Sequence, residues 1–151
     1  MVVMLRLKHK AGAVVAVAAS VAGMVFAAAP ASATVAAYPT SDFSIEVGAS
    51  YYKGTVTWYN RSVSVNGAFK ASGCRRVYAE AIAGTRWLDW QSSSTWCDES
   101  GPAPLHLNAD VDGGATKVNV WMTTENASKG LEYFVCTRGY SLCAGPYVGM
   151  P

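Results

Sequence analysis

Between Phe43 and Thr137 apolar and polar residues alternate, and Gly, Asn, Asp or Ser breaks the alternation every few residues. No segment of useful length carries the 3.6-residue period of an amphipathic helix, and no internal repeat is present. Neighbouring side chains on a strand point to opposite faces, so this pattern means strands with one face buried. The predicted strands are Phe43–Val47, Tyr52–Tyr59, Ser62–Lys70, Arg75–Ala83, Arg86–Trp90, Pro104–Val111, Ala115–Thr123 and Leu131–Thr137. Short strands at this spacing predict an all-β fold: a small antiparallel β-sandwich, immunoglobulin-like or jelly-roll, of about seven or eight strands.

Two hairpins can be given a register. With Asn60-Arg61 as a two-residue loop, Trp58 faces Val63, Val56 faces Val65, Gly54 faces Gly67 and Tyr52 faces Phe69. Every member of that face is apolar or Gly, while Tyr59, Thr57 and Thr55 meet Ser62, Ser64 and Asn66 on the other. Asn66-Gly67 is the stronger turn dipeptide. A turn there would set Phe69 against Ser64 and Val63 against Lys70, mixing the faces, so it is rejected on register. For the second hairpin, a Gly113-Gly114 turn predicts Ala109 opposite Val118, Leu107 opposite Val120 and Leu105 opposite Met122. Its polar side would pair Asp110 with Lys117, Asn108 with Asn119 and His106 with Trp121. On the Arg75–Ala83 strand, Val77, Ala79 and Ala81 form one side. Arg76, Tyr78, Glu80 and Ile82 form a mixed second side, which predicts partial cover by a loop or a second layer.

The chain has four cysteines, Cys74, Cys97, Cys136 and Cys143. An even number in an exported chain reads as disulfides, and three pairings are open. The sequence-local one, Cys74–Cys97 with Cys136–Cys143, is preferred. Zinc is the rival reading, but structural zinc sites favour gaps of two to four residues, and the gaps here are 22 and 6.

Export is read from the first 33 residues. Arg6, Lys8, His9 and Lys10 form a basic start, Ala11 to Ala29 is small and apolar, and Ala31-Ser32-Ala33 is the small-residue pattern of signal cleavage. The expected products are a signal peptide, 1–33, cut after Ala33, a flexible tail, 34–42, and a single domain, 43–151. A membrane anchor is the alternative, disfavoured because the run is Ala-rich, ends at Pro30 and meets a cleavage site. The expected location is extracellular, with no membrane association after cleavage. The full chain carries 12 Lys and Arg against 10 Asp and Glu. Losing Arg6, Lys8 and Lys10 leaves nine basic against ten acidic residues, a net −1, which removes the basic surplus a nucleic-acid binder needs. With 51% hydrophobic and 15% charged residues, general disorder is excluded.

Chemistry-bearing motifs are sparse. Asn108 to Gly113 matches the front of a calcium loop, but Asn119 stands where a bidentate Glu belongs, and the same residues fit a strand entering a turn. No metal and no cofactor are expected. His106 is the one histidine after the signal, and there is no Gly-x-Ser-x-Gly elbow to partner it. Asp98-Glu99 and Asp110/Asp112 leave room for carboxylate hydrolysis, yet both sit in turn contexts where Asp is ordinary. The aromatics are the most informative feature. Trp121, with His106, Asn108 and Asn119, forms one candidate ligand-binding face, and Trp87 with Trp90 a second. Aromatics among amides can stack on a sugar ring or anchor a protein interface; cover by the second sheet is the plainer alternative. The sequons at Asn60 and Asn126 matter only in a eukaryotic secretory pathway, and the Ala- and Val-rich signal looks bacterial.

The stretch Gly54-Thr55-Val56-Thr57-Trp58-Tyr59-Asn60-Arg61-Ser62-Val63, behind an Ala-rich signal, resembles small secreted actinobacterial proteins. These have no assigned activity, so the resemblance carries over no functional residue. A looser similarity is to the exported amylase inhibitors of streptomycetes, all-β with two disulfides and an exposed Trp-Arg-Tyr turn. Here Trp58-Tyr59-Asn60-Arg61 has those residue types in another order, and the cysteine spacing differs.

The sequence therefore predicts a secreted, non-enzymatic sandwich that binds a polysaccharide or an extracellular protein through exposed aromatics. The first alternative is an inhibitor or effector acting on another protein through the Tyr59–Ser62 turn. The second is a small carboxylate-based hydrolase.

Overall fold

A computed structural model describes residues 37–151. The expected signal peptide, 1–33, and its expected cut after Ala33 lie outside the described residues.

Among the described residues, eleven strands form two antiparallel sheets. The first contains β1 (Thr40–Val47), β2 (Ser50–Trp58), β3 (Ser62–Lys70), β7 (Ser100–Pro102) and β8 (Leu105–Asn108). Its order is β1-β2-β3, with β7 and β8 sharing the free edge of β3. The second contains β4 (Cys74–Ala83), β5 (Arg86–Ser92), β6 (Trp96–Cys97), β9 (Lys117–Thr124), β10 (Gly130–Thr137) and β11 (Ala144–Val148). Its order is β11-β10-β9-β4, with β5 and β6 sharing the outer edge of β4. The chain leaves the first sheet after β3, returns at β7 and leaves again after β8. This exchange between the sheets is a feature of antiparallel β-sandwiches.

The β2/β3 register is the expected one: Trp58 opposes Val63, Val56 Val65, Gly54 Gly67 and Tyr52 Phe69. All but the two glycines are buried. Glycine at 67 serves a packing need, because a Cβ there would come within 2.6 Å of the Tyr52 ring. That ring lies over Gly67, and its hydroxyl donates to Ala103 O at 2.7 Å, where β7 gives way to β8. Phe43, Tyr52, Phe69 and Trp96 form a chain of ring contacts through the core, with centroids 5.0, 5.9 and 5.0 Å apart. The indole N–H of buried Trp58 donates to Ser41 Oγ at 2.9 Å.

The second hairpin is corrected. Gly113 and Gly114 do turn the chain, with φ of 82° and 69°, but the flanking strands do not pair. Leu105 and Leu107 sit opposite Val65 and Val63 in the first sheet. Val118, Val120 and Met122 sit opposite Ala81, Ala79 and Val77 in the second. Two apolar stripes that match in register can lie side by side in one sheet or face each other across a core, and alternation cannot tell these apart. The tail is corrected at its end, since β1 begins at Thr40. Ser41 donates to Tyr140 O at 2.5 Å, and Asp42 exchanges backbone bonds with Ser141 and Cys143 at 2.8 and 2.9 Å. Three strands, β6, β7 and β11, lie outside the eight expected.

The disulfides are Cys74–Cys97 and Cys136–Cys143, the preferred pairing. They indicate an oxidising, extracytoplasmic environment. Among the described residues no helix is long and apolar enough to cross a membrane.

Candidate functional site

The outward face of the second sheet carries a row of aromatic side chains drawn from all five strand positions. Tyr78 on β4 opposes Trp121 on β9, Trp121 opposes Tyr133 on β10, and Tyr133 opposes Tyr147 on β11. Trp90 on β5, paired with Glu80, reaches diagonally onto Tyr78. The alternation places them all outward, because Val77, Ala79, Val118, Val120, Met122 and Phe134 fill the core side. Four inter-strand steps give a row about 19 Å long.

The ring geometry decides what the row offers. Tyr78 and Trp121 lie with centroids 5.2 Å apart and planes 8° from parallel; Tyr78 and Trp90 are 6.2 Å and 27°. At 5.2 Å two rings cannot lie edge to edge in one plane, so they form a slipped stack rising from the sheet. Tyr78, held between two indoles, keeps only 7% of its surface exposed although it points outward. The cover expected over this side of β4 is therefore supplied by neighbouring rings. Open faces remain at the ends, where Trp90 is 50% and Tyr147 44% exposed. Tyr133 and Tyr147 close the row with centroids 5.0 Å apart.

Polar groups line both flanks. On one side the Arg76 guanidinium lies 5.3 Å from the Tyr78 ring centre. On the other, Asn119 donates from Nδ2 to Glu80 Oε1 at 2.6 Å. Beyond Trp90, the exposed Trp87 stands opposite Ile82.

Of the expected ligand-binding residues, Trp121, Asn119, Trp90 and Trp87 share this face, so two clusters expected separately are one surface. His106 and Asn108 do not join them. They sit on β8, outward on the first sheet, and His106 Nδ1 is 2.8 Å from Ser64 Oγ. The failed hairpin accounts for this, because Trp121 opposes Tyr78 and Tyr133 instead of His106. Tyr78, Tyr133, Tyr147 and Arg76 were missed as site residues. Strand order, which hairpin reasoning does not supply, was the lacking signal.

The two acid pairs of the hydrolase alternative lie at opposite ends of β3, and the carboxylates of Asp98, Asp110 and Asp112 are engaged. Asp98 accepts from Gly73 N at 2.7 Å, near the Lys70 end of β3. Asp110 pairs with Arg61, and Asp112 Oδ1 lies 3.9 Å from the same guanidinium, near the Ser62 end. Those two ends are about 26 Å apart along the strand. The calcium-loop residues are similarly engaged: Asn108 Oδ1 accepts from Asp110 N at 3.0 Å.

Fold and face together define a two-sheet β-sandwich with an open aromatic surface. No family model matches the chain, and no curated protein matches its sequence.

Proposed function

We propose that this is an exported, non-enzymatic binding domain that takes an extended carbohydrate along the aromatic row of the second sheet. The observation that carries the reading is the row itself, aromatics from five adjacent strands aligned on an open face. Sugar rings present C–H faces that pack on aromatics, and their hydroxyls need donors and acceptors alongside. Arg76 supplies donors on one flank and Glu80 acceptors on the other. A linear row suits a linear ligand.

Support for binding over hydrolysis comes from the engagement of the acids, with Asp98 holding the Gly73 amide and Asp110 and Asp112 sharing Arg61. The inhibitor alternative calls for an exposed, rigid turn at Tyr59–Ser62, and that turn is exposed and braced by Arg61 on Asp110 and Asp112 and by Tyr59 edge-on to Tyr38 at 4.6 Å. The aromatic row is favoured over it as the larger contact surface. Export of a small actinobacterial-type protein fits both the signal pattern and the disulfides.

The test is a polysaccharide panel read by tryptophan fluorescence, comparing the exported protein with Trp121→Ala. Saturable binding that the variant loses is the expected result. Failure of every polysaccharide to bind would overturn the reading and leave a protein partner as the next target.

A further inference from the structure

We infer that the row selects an anionic glycan, a chain bearing carboxylate or sulfate groups, and that Arg76 reads the charge. This rests on the carbohydrate reading above and deepens it.

Arg76 is fixed in place. Its Nε donates to Ser93 O at 3.3 Å, and Nη2 donates to Ser92 Oγ at 2.9 Å and Ser93 O at 3.1 Å. Those acceptors are neutral, so the positive charge is oriented without being neutralised. Among the described residues Arg76 makes no ion pair. A guanidinium has five N–H donors, and three are spent; both on Nη1 remain. The guanidinium carbon lies 5.3 Å from the Tyr78 ring centre, so the free donors stand beside the ring stack.

The surrounding charges point the same way. Besides Glu80, the two acids on the strands of this sheet are turned toward the first sheet. Asp89 Oδ2 accepts from Asn108 N at 2.8 Å, and Glu132 Oε2 accepts from Glu46 N at 2.9 Å. Glu80 is the one carboxylate on the strands of this face, and Asn119 occupies one of its oxygens. Lys117, opposite Ile82 on the same face, adds a second cation with no ion pair among the described residues. A domain of net charge −1 thus gathers uncompensated positive charge beside its aromatic row. An anionic group on a sugar seated there would meet a preoriented, charge-assisted donor pair.

The experiment compares polygalacturonate and alginate with the same polymers after carboxyl reduction, by titration calorimetry on the exported protein. The acidic forms should bind about tenfold more tightly than the reduced ones, the value of a hydrogen bond to a charged group. The preference should weaken as salt is raised, disappear in Arg76→Gln and survive in part in Arg76→Lys. Thermal unfolding of both variants beside the parent separates a lost contact from a lost fold. Equal binding of acidic and reduced polymers, or a preference that Arg76→Gln retains, would overturn this inference and leave the carbohydrate reading standing. Binding of neutral polysaccharides alone would do the same. Absence of binding to every polymer, acidic or neutral, would overturn both.

Discussion

The two outward faces of the sandwich solve the same problem differently. On the first sheet the outward residues are mostly polar or charged, and many pair with one another. Thr55 Oγ1 donates to Asp42 Oδ1 at 2.7 Å, Ser64 pairs with His106, and Lys53 lies 2.6 Å from Glu46. On the second sheet the outward residues include a row of rings that pack on one another and leave apolar surface in water, with polar groups only along its flanks. The first face closes over its core with mostly polar residues and separate tyrosines, Tyr51 under Lys53 and Tyr59 against Tyr38. A continuous row of rings is therefore not something this two-sheet arrangement requires. An apolar strip kept on a solvent face is a mark of contact with something else.

The largest expected effect concerns what both faces share. Removing the Cys74–Cys97 bridge with paired Ala substitutions should cost about 3 kcal/mol in urea unfolding, since it frees a long loop in the unfolded chain. Both faces should survive the change at temperatures well below the new midpoint. Next, Trp121→Thr gives the second face a residue typical of the first. Glycan affinity should fall by about thirtyfold, near 2 kcal/mol, while stability falls by about 1 kcal/mol for the lost stacking. A variant that still binds as well as the parent would dissolve the contrast between the faces.

Tyr52→Phe tests the interior between them. It leaves Ala103 O without its donor and should cost about 1–2 kcal/mol in thermal or urea unfolding. Burial pushes the Tyr52 phenol well above its ordinary value of 10.0. The unfolded phenol ionises near that value while the folded one stays neutral, so stability should fall as pH rises past 10. The Phe variant should show a flatter alkaline limb. Smaller still, His106→Ala on the polar face should change stability by less than about 0.5 kcal/mol and leave glycan titrations unchanged. The smallest effect belongs to Glu46, whose hydrogen bond and proximity to Lys53 hold its carboxyl below the usual 4.5. Its contribution is present above that value and fades as pH falls below it, a loss that Lys53→Met should remove from the acid limb of the stability curve.

How much of this was legible follows from what alternation encodes. It reports the face a residue occupies and says nothing of the neighbour across the strand. In β2 and β3 a short connection fixed the neighbour, so the register came out whole. At Leu105–Met122 the same signal described two strands in different sheets, and His106 was separated from Trp121. The strands β7 and β11 were hidden because each contains Gly and Pro, residues tolerated on sheet edges but read as turn punctuation. Trp121, Trp90 and Asn119 were recognisable by residue type. Their union with Tyr78, Tyr133 and Tyr147 depends on the order β5-β4-β9-β10-β11, which arises from long-range packing.

The bonds that seat β1 bear on how the chain reaches this state. Ser41 and Asp42 are held by Tyr140, Ser141 and Cys143, partners about a hundred positions later, and Ser41 in turn caps the indole of Trp58. β1 thus has no complete docking place until a segment about a hundred positions further along the chain has been made. The contact ties two distant stretches of sequence, so this corner of the sandwich closes late in synthesis.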